Sequence, residues 1–367
     1  MTRTHGMFAA VLLLLMPVRI LLAEISLEDL VADADLKAGP GLARDFDGWQ
    51  APRKIVVRDR YGIVERLRSG FPEIEIVAVK TDVEAAEMIR DADAIIGFCN
   101  EDIVGNAARL VWIQIFSSGA EGCVSIPEVR AGKYLVTNMQ KMSSPTIGEH
   151  AIALMLAITR GLAPYAKTMP DGAWDPGLAD KYEITPVAGK TMLVTGLGGI
   201  GTAAAKRAAG LGMRVIATRN SSRTGPDYVD YVGLSHELLE LAAEADVVVN
   251  ALPLTPETTG IFDREFFDAV KPGAYFINVA RGGSVVTEDL IAALEDGRLR
   301  GAGLDVTDPE PLPPGHPLWQ LDNVIITPHV AGFGSDLSNY PVLLEENVRR
   351  YVAGDALFNV VDPERGY

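Results

Sequence analysis

From about residue 54 onward, short apolar runs alternate with stretches in which apolar residues recur every three or four positions, the rhythm of strands and helices in βαβ units. Runs at 54–57, 74–80, 94–99, 111–116 and 134–137 predict five strands, with helices such as 61–68 and 83–90 between them. That alternation implies a parallel sheet. Next, Ser143-Ser144-Pro145 supplies a cap residue and a proline for the first helical turn. The stretch 147–162 is apolar on almost every face, so it is expected to lie buried between two bodies. A second series predicts six strands, at 191–195, 214–218, 246–252, 274–280, 301–306 and 323–327. A last helix over 341–353 is too isolated to form a third domain and is expected to return to the first.

Composition narrows the partners. With 367 residues, 48% of them hydrophobic, the chain can bury two medium cores. A formal charge of -16 leaves no basic face for nucleic acid and would be repelled by anionic lipid. Cys99 and Cys123 are the only cysteines, and neither stands at a metal-ligand spacing with the five histidines, so two ordinary thiols and no metal are expected. At the N-terminus, Arg3 and His5 precede an apolar run over 7–18, and Arg19 separates it from Ile20-Leu21-Leu22-Ala23. Residues 1–23 resemble a signal-peptide leader, too short to span a bilayer, although Leu21 is bulky where a small residue is wanted. An acidic extension punctuated by Gly and Pro fills 24–49.

The strand at 191–195 runs directly into Gly196-Leu197-Gly198-Gly199-Ile200-Gly201, and an Ala-rich helical stretch follows to Leu211. Strand before and helix after is the setting a dinucleotide-binding turn requires, and six strands suit its sheet. In that reading Gly196 makes the tight turn, Gly198 admits the pyrophosphate to the backbone, and Gly201 packs helix on strand, while the N–H groups about Gly199 and Ile200 face the phosphates. About twenty residues on, a carboxylate would bind the ribose of NAD. Here the second strand ends in Arg219-Asn220-Ser221-Ser222-Arg223. Guanidinium, amide and hydroxyl donors suit a 2′-phosphate, so NADP(H) is favoured and NAD(H) is possible.

Three further clusters carry a family resemblance: Asn278-Val279-Ala280-Arg281-Gly282, then Leu304-Asp305-Val306-Thr307-Asp308-Pro309-Glu310-Pro311-Leu312, then Thr327-Pro328-His329-Val330-Ala331-Gly332. With the 252–258 segment, His316-Pro317-Leu318-Trp319 and Gly148-Glu149-His150, they resemble the D-isomer-specific 2-hydroxyacid dehydrogenases from about Lys54 to the end. The resemblance implies an active-site trio at Arg281, Glu310 and His329. The chemistry agrees, since reducing a 2-oxo acid needs a cation for the carboxylate and carbonyl and an acid to deliver a proton. Arg281 suits the first role and His329 the second; a carboxylate such as Glu310 beside the imidazole favours its protonated form and fixes the ring. The resemblance also implies cofactor contacts at Leu252, Pro253, Thr258, Val279, Ala280 and Asp305. It further implies a substrate-carboxylate loop in which the amides of Ser118 and Gly119 bind. Arg219 replaces the usual acidic residue, which bears on the cofactor and not on the chemistry.

Together these readings predict an α/β protein of two Rossmann-like or flavodoxin-like domains with parallel sheets and the active site in the interdomain cleft. The substrate-binding domain comprises 50–146 and 335–367, and the dinucleotide-binding domain 147–334. By resemblance the enzyme is a homodimer reducing glyoxylate, hydroxypyruvate or a longer 2-oxo acid. Its need for reduced cofactor favours the cytoplasm, against the export that the leader suggests. The rival reading is a cofactor-sensing binding protein of the same fold, which would keep the trio and turn over little or nothing.

Overall fold

The computed structural model describes residues 25–220, 222–335 and 337–367, so the leader read at 1–23 and Ser221 lie outside the described residues. Two parallel sheets organise them. The first is built from β1 (Lys54–Arg58), β2 (Glu75–Val79), β3 (Ala94–Ile96), β4 (Trp112–Gln114) and β5 (Leu135–Thr137), in the order β2-β1-β3-β4-β5. The second uses β6 (Thr191–Thr195), β7 (Arg214–Arg219), β8 (Tyr231–Leu234), β9 (Val247–Asn250), β10 (Ala274–Asn278), β11 (Leu299–Leu304) and β12 (Val324–Ile326), in the order β12-β11-β10-β9-β6-β7-β8. Every residue of β6, β9 and β10 is buried, as helices on both faces of a parallel sheet demand. The chain reverses its direction of winding between β6 and β9. At such a switch point a crevice opens beyond the carboxyl ends of the strands.

The second sheet has seven strands, not the six expected. The added β8 is a short edge strand, and its Gly233 lets the helix beneath pack closely, since a Cβ there would lie 2.8 Å from Leu241 Cδ1. The helix Ser144–Thr159 joins the two bodies and packs on the helix Gly199–Gly210. Gly148 permits that approach, since a Cβ would come within 2.7 Å of Ala203 Cβ.

The terminal helix Tyr340–Ala353 returns to the first sheet, as expected, and packs on the helix Ile63–Gly70. Buried Asn347 fastens it, donating to Gln114 Oε1 at the end of β4 and to the Phe358 carbonyl, and accepting from the Phe358 N–H. The extension read at 24–49 is not a separate piece. Leu30, Leu36 and Ala43 are buried in one cluster with Leu343 and Tyr351, and Trp49 Nε1 donates to the Tyr351 carbonyl. The expectation of two free thiols is also overturned, because Cys99 and Cys123 form a disulfide. Neither a leader nor a spacing rule brings them together; the fold does, by setting the exit of β3 against the short helix Glu121–Val124, with Cα atoms 5.4 Å apart.

Candidate active site

The glycine turn follows β6 at the switch point. Gly196 has φ 88°, a left-handed conformation that favours glycine, and Gly201 meets the turn so closely that a Cβ would lie 2.1 Å from the Gly196 carbonyl oxygen. Gly198 faces open space, with nothing within 4 Å of a Cβ built on it. It stands at the N-cap of Gly199–Gly210, where no side chain caps the helix. An open cradle above uncapped N–H groups fits a dinucleotide pyrophosphate. Ile200 packs on the core behind, and Leu252 stands across the turn, its Cδ2 3.1 Å from a Cβ built on Gly196. Thr258 closes the neighbouring loop by donating to the Pro253 carbonyl at 2.6 Å.

The two arginines expected at the 2′-phosphate are differently employed. Arg219 ends β7 and donates through Nε to the Leu197 carbonyl and through Nη1 to that of Thr224. This draws it against the glycine turn, beside exposed Asn220. Arg223 is paired with Glu237 at 2.7 Å and donates to Tyr231 Oη. The Arg223 guanidinium, the Leu234 N–H and the Tyr231 hydroxyl push Glu237 down to about 2. Arg223 is therefore a half-neutralised cation rather than the free one expected, because β8 brings Glu237 beside it.

At the ends of β9 and β10 a buried amide network fixes the backbone of Arg281. Asn250 Nδ2 donates to Asn278 Oδ1 and Ser284 Oγ, while Asn278 Nδ2 and Ser284 Oγ both donate to the Arg281 carbonyl. Val279 and Ala280 are buried in the same strand end, their N–H groups held by Asn250 O and Asn278 Oδ1. The Arg281 side chain crosses to the first domain, where its Nε donates to Glu121 Oε1 at 2.5 Å. It lies directly over Gly119: a Cβ there would sit 2.0 Å from Arg281 Nη2. In this loop the carbonyls turn inward, Ser117 O accepting from Met139 N–H, Ser118 O from Asn138 Nδ2 and Gly119 O from Ser117 Oγ. The N–H groups of Ser118 and Gly119 have no acceptor among the described residues. Glu121 was missed by sequence reasoning, since its partner lies 160 residues away.

His329 and Glu310 meet as expected, Nδ1 to Oε1 at 2.6 Å, both about half exposed. His329 holds φ 53°, a left-handed conformation costing roughly 1–2 kcal/mol in a residue with a Cβ. Asp305 supports it. Its carbonyl accepts from His329 N–H, and its buried carboxylate accepts from Val330 N–H, Ala331 N–H and Thr327 Oγ1. His150 Nε2 stands 3.5 Å from the same carboxylate. Asp305, expected among the cofactor contacts, thus commits its carboxylate to the loop that carries His329. Its burial explains why, since a buried carboxylate needs every donor it can reach.

Residues 152–331 match the family described as D-isomer specific 2-hydroxyacid dehydrogenase, NAD binding domain. The chain is 34% identical over 253 residues to a glyoxylate reductase of Thermofilum pendens, covering 68% of this chain and 74% of that protein. It is 32% identical over 316 residues to a glycerate dehydrogenase of Methylorubrum extorquens, covering 82% and 97%. Among solved structures it resembles the NADPH-dependent glyoxylate/hydroxypyruvate reductase of Sinorhizobium meliloti in complex with NADP and sulfate. That likeness has a TM-score of 0.72 and 27% identity, covering 86% of this chain and 99% of the other.

Proposed function

The chain belongs to the D-isomer specific 2-hydroxyacid dehydrogenase family, and from that membership we propose that it reduces a small 2-oxo acid to the D-2-hydroxy acid, with NADPH as the favoured reductant. It is an oxidoreductase of 2-oxo and 2-hydroxy acids that uses a nicotinamide cofactor. The observation that carries this reading is the His329–Glu310 pair at 2.6 Å; Arg281, at the Gly119 loop, supports it.

When bound, the nicotinamide supplies a hydride to the carbonyl carbon. The chain's own residues do the rest. The Ser118 and Gly119 N–H groups and the Arg281 guanidinium hold the substrate carboxylate, and Arg281 also draws charge from the carbonyl oxygen as it becomes an alkoxide. Glu310 occupies Nδ1 of His329, which leaves Nε2 to deliver the proton to that oxygen. Glu121 fills the Arg281 Nε position until a substrate carboxylate displaces it.

Arg219 supports the NADPH preference, while the Arg223–Glu237 pair tempers it. Absorbance of NADPH and NADH across glyoxylate, hydroxypyruvate and larger 2-oxo acids tests the reading. Turnover of a short 2-oxo acid, faster with NADPH, is expected, and Arg219→Asp should shift preference toward NADH by about tenfold or more. Binding without turnover of any 2-oxo acid would instead identify a cofactor sensor.

A homodimer is the assembly we favour, because Leu162, Met169 and Trp174 expose an apolar patch beside the interdomain helix; light scattering checks it. For location, the need for reduced cofactor favours the cytoplasm, whereas the disulfide favours an oxidising compartment. No helix among the described residues is long and apolar enough to cross a membrane. Cell fractionation with N-terminal sequencing of the mature chain decides between the two.

A further inference from the structure

Lys141 and Asp35 have no part in the chemistry above. Lys141 lies in the turn just before the interdomain helix, at a left-handed φ of 73°. Its stem runs past the phosphate-binding turn, for a Cβ built on Gly199 would be 3.1 Å from Lys141 Cγ. The ammonium is turned away from that turn. Asp35 of the N-terminal segment, itself at φ 46°, takes Nζ on its backbone carbonyl and on Oδ2, the latter at 3.1 Å. The Asp35 side chain is 72% exposed against 25% for Lys141, its Oδ2 is shared with Lys37 at 3.6 Å, and an ion pair on so solvated a carboxylate is weak. Three rotatable bonds lie between Cγ and Nζ, a length that spans from beside Gly199 to the open space over Gly198. A pyrophosphate seated on uncapped N–H groups offers it a charge-assisted acceptor stronger than one solvated carboxylate.

We propose that Lys141 is a pyrophosphate-binding residue of the cofactor site, held in reserve by Asp35, so that the N-terminal segment tunes dinucleotide affinity. This rests on the dinucleotide reading of the turn. It extends the site to residue types that a glycine motif cannot announce. The segment 25–49, packed on the first sheet's core, thereby touches the residue that borders the phosphate-binding turn.

The test is equilibrium binding to the full chain, with NADPH and NADH followed by their own fluorescence and with ADP-ribose and adenosine as competitors. Lys141→Met should weaken NADPH, NADH and ADP-ribose alike by about tenfold. It should leave adenosine, which has no pyrophosphate, unchanged, and it should flatten the salt dependence. Lys141→Arg should restore most of the affinity. Asp35→Asn should tighten the same three ligands by up to about fivefold, the worth of the exposed pair it removes. Unchanged dinucleotide affinity in Lys141→Met, equal weakening of adenosine, or weaker binding in Asp35→Asn would each overturn the proposal. A parent chain that binds no dinucleotide would overturn the cofactor reading itself, so the two failures are distinguishable.

Discussion

Two glycines show how differently the halves of the cleft are made. A Cβ on Gly201 would strike the Gly196 carbonyl oxygen at 2.1 Å, and a Cβ on Gly119 would strike Arg281 Nη2 at 2.0 Å. The distances are alike, but the obstacles are not. The first is backbone of the same turn, which cannot give. The second is the tip of a flexible side chain from the other domain, which can. The glycine turn is thus a rigid local device, whereas the Arg281–Gly119 contact exists only where two distant segments meet.

The largest expected effect lies at His329. His329→Ala removes the proposed proton donor and should lower turnover by about 10²–10⁴-fold, with NADPH binding, read by fluorescence, intact. Retained turnover would break the assignment of that half of the cleft. Gly201→Ala should cost stability, by about 1–3 kcal/mol, together with cofactor affinity, seen in denaturant titration and NADPH binding. Gly119→Ala should leave stability nearly unchanged and raise KM for the 2-oxo acid by about tenfold, because Arg281 shifts aside. If the two alanines behave alike, the contrast between the glycines fails.

The smallest effect sharpens the comparison at the far end of the cofactor site. Glu237→Gln should release Arg223 and raise the NADPH to NADH ratio of catalytic efficiency a few-fold. Because Arg223 holds Glu237 down at about 2, below its ordinary 4.5, the pair stabilises the fold above that ordinary value and is lost as pH falls toward 2. The melting temperature of the parent should therefore exceed that of Glu237→Gln near neutrality, and the gap should close over that acid window.

The same division governs what could be read from the chain. The glycine turn was legible because strand, turn and helix are contiguous and each glycine has its own steric reason. Eleven strands stood at or within a few residues of their expected positions, since parallel strands buried on both faces leave apolar runs. β8 was not legible, being four residues with a glycine inside. The Cys99–Cys123 bond, the Glu121–Arg281 pair and the Glu237–Arg223 pair were hidden for another reason. Each joins residues whose spacing carries no period, and only the folded sheets set them side by side. His329 and Glu310 were found through the order of their motifs, whereas the left-handed backbone of His329 and its support by Asp305 have no sequence signature.

The returning helix Tyr340–Ala353 has a consequence in time. A ribosome emits the chain from its N-terminus, and β1 to β5 emerge long before the Leu343, Leu344, Tyr351 and Phe358 that complete their core. Sheet β6 to β12, by contrast, is contiguous and can close as soon as β12 is clear of the tunnel. The later-made body should fold first, and the earlier-made one should wait, exposed, for the last thirty or so residues. Nascent chains released short of Tyr340 should therefore carry a protease-resistant core beginning near the interdomain helix and a susceptible N-terminal half.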